Sequence, residues 1–567
     1  MTTFPARLQS LHARTPDRIA LTLQFSNGDD LPITNYQLLL GASSYARAFA
    51  SAGIKPGEVI VLILQHGEDL VYAFWGAILH GAIPSIMPFL TEKLSPERYR
   101  ADLSALISVT QPAAIVTYPE FESEVCSALK EGDSVREVVV SNAVEKDGAL
   151  DFDSLAGFQR KPEDIVILQH SSGTTGLQKG VALSHRAVFN QLDAYGKMLN
   201  LNDSDVIVSW LPLYHDMGLI AGFIMPILSG VHLVLQSPFD WVRAPYKLMH
   251  AVTKYRGTLS WLPNFAYNFC AQKIRDRHLE GVDLSTWRAV INCSEPVRSE
   301  SHLAFYEKFK SNGLRREALQ TSYAMAENVF AVTQSPLGDV PAVLEIDREA
   351  FMSKRVAKLV DEANLDANSN SAMKMMSSGR PLENVQVKVL DENRNELSER
   401  TIGELALKSD CMLTGYYHRD DATQQAFHDG WYLTGDYGFL SDGEVYVSGR
   451  KKDMIIVGGR NVYPQDLESL TYEVAGVHAG RSVAFGMYNE EEGTEEVVVI
   501  AEVDSDDPAE QQKIADAIRQ HVTKNSAIAL RYVKAVDSKW ILKTSSGKTA
   551  RSANKEKFLR ELEQKMF

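Results

Sequence analysis

"LQHSSGTTGLQKGVALSH", residues 168–185, joins an apolar, strand-like run, "DIVIL" (Asp164 to Leu168), to a stretch of small hydroxyls and glycines that ends near Lys179. From Ser171 to Gly180 the alternation of Ser, Thr and Gly offers backbone N–H groups and hydroxyl donors without side-chain bulk, which is what an anion nest needs. The same composition also suits a plain turn. It is not a Walker loop, because Lys179 lies between Gln178 and Gly180 where Gly-Lys-Ser/Thr is required. "SSGKT" (Ser545 to Thr549) fails the same test, since Leu542 stands where the first glycine belongs.

Outward from this stretch, short apolar runs recur at the spacing of strands that alternate with helices: "EVIVLIL" (Glu58 to Leu64), "AAIVTY" (Ala113 to Tyr118), "REVVVS" (Arg136 to Ser141), "DVIVSWL" (Asp205 to Leu211), "VHLVL" (Val231 to Leu235) and "RAVINC" (Arg288 to Cys293). Helix-like stretches such as "YQLLLGASSYARAFASAG" (Tyr36 to Gly53) and "APYKLMHAVTKY" (Ala244 to Tyr255) lie between them, so parallel α/β layers are expected. After about Arg450 the pattern changes to helix, strand, strand, helix, strand, with a last helix "SANKEKFLRELEQKMF". The division expected is a large α/β N-terminal unit over residues 1–450 and a small, mobile α+β unit over residues 451–567. The polar stretch 361–371, "DEANLDANSNS", reads as an exposed loop, and no internal repeat is visible.

The totals narrow the function. A chain of 567 residues implies about three or four units at roughly 100–200 residues each, and 45% hydrophobic with 23% charged residues excludes a disordered chain. A net charge of −15 argues against nucleic acid as the main partner, because phosphate neutralisation wants a basic face. Cys126, Cys270, Cys293 and Cys411 are widely spaced, which speaks against a zinc knuckle or disulfide framework and for a reducing compartment. The N-terminus has no apolar core of export type, so a cytoplasmic protein is expected. "MGLIAGFIMPILSGV" (Met217 to Val231) is too short to span a bilayer and reads as a buried wall, with no transmembrane segment.

With its context, "SSGTTGLQKGV" (Ser171 to Val181) resembles the phosphate loop of the adenylate-forming superfamily, which includes acyl-CoA synthetases, fatty acyl-AMP ligases, luciferases and peptide-synthetase adenylation domains. "WLPLYHDMGL" (Trp210 to Leu219), "NCSEPV" (Asn292 to Val297), "SYAMAE" (Ser322 to Glu327), "GWYLTGD" (Gly430 to Asp436), "GRKKDMIIVGGRNVYP" (Gly449 to Pro464) and "LKTSSGKTAR" (Leu542 to Arg551) are similar to the later motifs in the same order, over almost the whole chain.

The resemblance implies ATP-dependent activation of a carboxylic acid to acyl-AMP. In it, Ser171, Ser172, Gly173, Thr174, Thr175, Gly176 and Lys179 cradle the phosphates, Glu327 holds Mg²⁺, and Lys548 reaches the acyl carboxylate and α-phosphate. Asp436 accepts the ribose hydroxyls with Arg450 as a second contact. Tyr323, between Ser322 and Ala324, stacks on adenine, with Cys293, Ser294 and Glu295 under its edge. His215 gates the acyl pocket, and Lys452 is the hinge on which the small unit turns between adenylation and thioester formation. Such residues supply positive charge where one anion must approach another. Read singly, Asp436 fits a turn, Tyr323 and His215 fit a core, and Lys452 fits a solvated surface.

"VPAVLEIDREAFMSKRVAKL" (Val340 to Leu359) resembles the extra segment of fatty acyl-AMP ligases, which implies transfer to the phosphopantetheine arm of an acyl carrier protein. The alternatives are an acyl-CoA synthetase that uses CoA with a fatty, aromatic or terpenoid acid, and a non-catalytic homologue that binds nucleotide or acyl chains. Ala324 stands where the family usually has Gly, Ala326 where synthetases often have Thr, and Leu542 where Pro is usual. An apolar acid is expected from "GLIAGFIMPILSG" and "WLPNFAYNF", both of which also read as ordinary core.

Overall fold

A computed structural model of the chain describes residues 2–89, 96–146, 148–170, 179–360, 372–458, 460–490, 494–526, 528–544 and 548–566. The stretch 171–178, with Ser171, Ser172, Gly173, Thr174, Thr175 and Gly176, lies outside the described residues, as does the polar stretch 361–371.

Two sheets, parallel but for one edge pair, are built from strands between Ile19 and Thr321. One has the strand order Ile83–Ile86, Val59–Ile63, Ala114–Thr117, Glu137–Val140, all parallel. The Val59–Ile63 strand is buried along its whole length, which is why it reads as an unbroken apolar run rather than an alternation. The larger sheet has seven strands, in the order Leu319–Thr321, Ala289–Asn292, Leu259–Leu262, Val206–Ser209, His232–Gln236, Ile19–Gln24, Leu31–Thr34. All neighbours are parallel except the last pair.

Two expectations are refined here. The run leading into the Ser/Thr/Gly stretch forms strand Ile165–His170, but it pairs antiparallel with Gly180–Ser184; the nine residues between them, 171–179, are too few for the crossover that a parallel pair requires. The apolar window from Met217 is a π-helix, Met217–Ile224, running into helix Met225–Ser229, with every π-helical residue buried. Gly218 permits this start, because a Cβ there would lie 2.2 Å from the Pro212 carbonyl oxygen. No helix among the described residues is long and apolar enough to cross a membrane.

An antiparallel sheet follows, in which Trp431–Ser441 pairs with Gly403–Ser409 and with Glu444–Arg450. The C-terminal elements have the predicted order: helix Pro464–Tyr472, strands Val477–Asn489 and Thr494–Val503, helix Pro508–Ser526, strand Leu530–Val536 and helix Arg551–Met566. At the junction the Gln465 amide donates to the Ser448 carbonyl at 2.5 Å. Gly449 leaves room for it, since a Cβ there would sit 2.3 Å from Gln465 Nε2.

Candidate active site

Parallel strands aim the loops at their carboxyl ends toward one side of the sheet, the usual place for ligands in such folds. Ala289–Asn292 leads into Cys293, Ser294 and Glu295; Leu319–Thr321 leads into Ser322 to Glu327; Val206–Ser209 leads toward His215 and Asp216. These loops, strand Trp431–Ser441 and the C-terminal elements enclose a cleft of about 2250 Å³. Lys179, His215, Ser294, Glu295, Ser322, Tyr323, Ala324, Glu327, Asp436, Arg450, Lys452 and Lys548 all line it, whereas Cys293 does not. The Cys293 thiol is fully buried, 3.0 Å from the Met217 sulfur.

At one end, Asp436 and Arg450 are cross-strand partners with an ion pair at 3.7 Å. The Tyr323 hydroxyl donates to Asp436 Oδ2 at 2.6 Å. Burial pushes the Asp436 carboxyl above its ordinary range, against the pull of Arg450 and Tyr323. Ser322 is a structural pin, its hydroxyl donating to the Thr333 carbonyl at 2.7 Å. Ala324 forms an antiparallel bridge to Ala331 and has a negative φ, so nothing in its backbone calls for glycine.

Glu327 lies on a single 3₁₀ turn, Ala326–Asn328. Val329 follows at φ 63°, ψ −57°, and the Phe330 N–H reaches back to the Asn328 carbonyl at 2.7 Å. This is a γ-turn of the rare positive-φ kind, costly for a β-branched residue and of the sort that gathers at functional sites. The Tyr416 hydroxyl donates to Glu327 Oε1 at 2.9 Å and lies 2.9 Å from the Tyr432 hydroxyl. Above the Tyr416 ring, at 4.6 Å, stands the Lys179 ammonium. Burial raises the Glu327 carboxyl above its usual range, Tyr416 lowers it, and the Asp216 charge adds to the rise.

Lys548 reaches the cleft from the C-terminal elements. Lys543 and Thr549 form a bridge, the Thr544 N–H donates to the Lys548 carbonyl at 2.7 Å, and the Lys548 N–H donates to Thr544 Oγ1 at 3.2 Å. Buried Asn554 holds Leu542, just before this bridge, by donating to its carbonyl and accepting from its N–H, both at 2.8 Å. A proline at 542 has no N–H to give, so leucine there is explained by this bond. Burial lowers the Lys548 ammonium, opposed by the charges of Asp216 and Glu295. Lys452 is lowered as well, by burial and by Arg450.

Two cationic contacts hold this arrangement. Arg298, beside the Glu295 loop, pairs with Asp466 of helix Pro464–Tyr472 at 2.9 Å. Arg551, three residues after Lys548, spans Asp453 at 3.1 Å and Glu468 at 2.6 Å, tying its helix to the segment that carries Lys452. An apolar arm of the cleft is lined by Trp241, Phe265 and Phe269; Trp241 stacks on Trp210 with centroids 3.5 Å apart.

Sequence reasoning did not single out Tyr416, Tyr432, Asp216, Arg298, Asn554 or Trp241. Tyr416 sits in "LTGYY" (Leu413 to Tyr417), an aromatic pair after a turn signal that resembles any strand start; Asp216 is part of a quoted motif, and its position beside His215 was the available signal.

The sequence matches the family described as AMP-binding enzyme over residues 8–417. Relatives include the medium-chain-fatty-acid acyl-carrier-protein ligase JamA of Moorena producens, 29% identical over 89% of this chain and 86% of JamA. Another is the long-chain-fatty-acid AMP ligase FadD32 of Mycobacterium marinum, 28% identical over 88% and 84%. Among solved structures, one from a study of fatty acyl-adenylate ligases from E. coli and L. pneumophila superposes with a TM-score of 0.89 at 25% identity, over 100% of this chain and 98% of that one. The L. pneumophila ligase in complex with acyl adenylate and pyrophosphate gives 0.74 at 27% identity, over 98% and 96%. The family match covers most of the chain, and its motifs meet in one cleft: the chain belongs to the AMP-binding enzyme family and is an adenylate-forming ligase.

Proposed function

We propose that this ligase activates a fatty or similarly apolar carboxylic acid and passes it to the phosphopantetheine thiol of an acyl carrier protein. The carboxylate attacks the α-phosphorus of ATP, the bond to pyrophosphate breaks, and acyl-AMP forms; the thiol then displaces AMP. The observation that carries this is the convergence of Lys548, Asp436 and Glu327 on one cleft that also has an aromatic arm. Two unit charges about 4 Å apart interact by about 4 kcal/mol at the effective dielectric of a protein surface, so bringing two anions together demands fixed cations. Lys548, Arg450 and Lys179 are those cations in this reading, Asp436 takes the ribose hydroxyls, Tyr323 faces the base, and His215 borders the acyl arm.

Mg²⁺ uses one or two carboxylates with substrate phosphates and water rather than a protein cage. No cluster of three potential ligands occurs among the described residues, and a cleft carboxylate whose charge burial disfavours fits a single metal contact, so Glu327 is the residue that would hold it. When bound, the ion neutralises charge on the phosphates.

The acceptor reading rests on the segment after Val340. Strand Val343–Asp347 and helix Arg348–Lys354 share a core with C-terminal residues: Phe351 packs on Tyr463 at 5.8 Å, and Glu349 pairs with Arg460 at 3.5 Å. A small unit, residues 451–567, that turns about Lys452 is held by these contacts in the orientation that presents Lys548, which disfavours the second orientation unless a bulky partner compensates. JamA, named as an acyl-carrier-protein ligase, is in keeping with this. The test supplies ATP, a panel of apolar acids, CoA and a phosphopantetheinylated carrier protein together. Carrier-bound thioester is expected; acyl-CoA instead would overturn the acceptor, and nucleotide binding without AMP release across the panel would favour the non-catalytic reading.

A further inference from the structure

We propose that Asp216 is a positioning residue for adenylation: its carboxylate fixes the His215 ring and is the counter-charge that holds Lys548 ready before the acid arrives. This rests on the adenylation reading above.

The geometry begins at the start of the π-helix. Asp216 Oδ1 lies 2.6 Å from His215 Nδ1 and accepts the Met217 N–H at 2.7 Å. The Met217 N–H is 3.4 Å from Nδ1, so the shorter contacts to the carboxylate decide the arrangement. Nδ1 then carries the proton that Asp216 accepts, and Nε2 is the atom left to act on the cleft. The Asp216 side chain is only 12% exposed, and an ionised carboxylate at that depth requires compensating partners. Met217 N–H, His215 and Lys548 supply them, and the group stays below the ordinary carboxylate range although burial opposes its charge.

From the other side, no ion pair within 4.0 Å ties Lys548 to an acid among the described residues, yet its ammonium must remain charged in a buried setting. Asp216, Glu295 and Lys548 line the same cleft, and there Asp216 is the leading charge that favours the protonated ammonium, with Glu295 second; Cys293 acts in the same direction and Arg450 against it. Glu327 also feels Asp216. The incoming carboxylate therefore meets an ammonium kept protonated in the cleft it shares with Asp216.

The sign follows. Lys548 acts as a cation, so activity falls as pH rises through its depressed pKa. Removing the Asp216 charge depresses that pKa further and moves the basic limb to lower pH. The experiment is acid-dependent exchange of labelled pyrophosphate into ATP, measured against pH for the wild type, Asp216→Asn and Asp216→Glu. Asp216→Asn is expected to shift the basic limb down by about one pH unit, a tenfold loss at the alkaline end, and to raise KM for the acid, while Asp216→Glu restores the limb. Peptide-resolved acetylation of Lys548 without substrates reads the same shift directly. If Asp216→Asn does not fold, Asp216→Ser, which can still accept the Met217 N–H, is measured instead. A uniform loss at every pH with an unmoved limb and unmoved acetylation profile overturns the proposal. Absence of exchange in the wild type would instead overturn the adenylation reading itself.

Discussion

Tyr323 donates its phenolic proton to Asp436 Oδ2 across 2.6 Å, which joins the aromatic proposed to face the base to the carboxylate proposed to take the ribose hydroxyls. A hydrogen bond to a charged group is worth about 1.5–3 kcal/mol, so Tyr323→Phe should raise the half-saturation for ATP by about tenfold and leave that of the acid unchanged. Asp436 already sits above the ordinary carboxylate range because it is buried, with Arg450 and Tyr323 pulling it down. ATP binding should therefore weaken as pH falls through that raised value, and in Tyr323→Phe the weakening should begin at higher pH. Calorimetric titration with ATP across a pH series measures both.

Tyr416 makes a similar bond to Glu327, with Lys179 over its ring. Phenylalanine keeps the π face under Lys179 and removes only the hydroxyl. Tyr416→Phe should raise the Mg²⁺ concentration for half-maximal exchange by about fivefold, a cost near 1 kcal/mol, with little change in melting temperature. A Mg²⁺ titration at saturating ATP checks it.

How much of this was legible beforehand follows from the range of the contacts. Strand Val59–Ile63 and helix Pro508–Ser526 are written in local periodicity, and both lie where the sequence puts them. Asp436 and Arg450 were nameable because they occur in ordered motifs, and cross-strand pairing then makes them neighbours. The Tyr416–Glu327 bond spans 89 residues and the Arg298–Asp466 pair 168, and no local pattern encodes either. The antiparallel turn of strand Ile165–His170 was hidden because an apolar run reads the same in either direction.

Asn554 accounts for Leu542, which is unusual at its position. Asn554→Ala leaves the Leu542 N–H without its side-chain acceptor, while the Leu542 carbonyl keeps the Ala550 N–H at 3.0 Å, and should destabilise the C-terminal elements by about 1 kcal/mol. Exchange should fall while nucleotide affinity holds, because Asp436 and Tyr323 are untouched. Chemical denaturation followed through Trp540 fluorescence, together with ATP titration, separates the two effects.

The Arg298–Asp466 pair joins the Glu295 loop to helix Pro464–Tyr472 and is part-exposed, at 24% and 25%. Pairs of this kind contribute about 1 kcal/mol or less, so Asp466→Asn should lower exchange by about threefold. If the pair favours the adenylating orientation, thioester formation from supplied acyl-AMP should rise relative to exchange. Parallel assays of the two half-reactions give that ratio.

The most direct measurement of the whole account is acid-dependent exchange of labelled pyrophosphate into ATP by the wild type and by Lys548→Ala. With an apolar acid the wild type should exchange, and the variant should fall by about 10²–10³-fold, the cost of removing one preorganised donor, while still binding ATP. Exchange that needs no acid, or that survives the loss of Lys548, would contradict it.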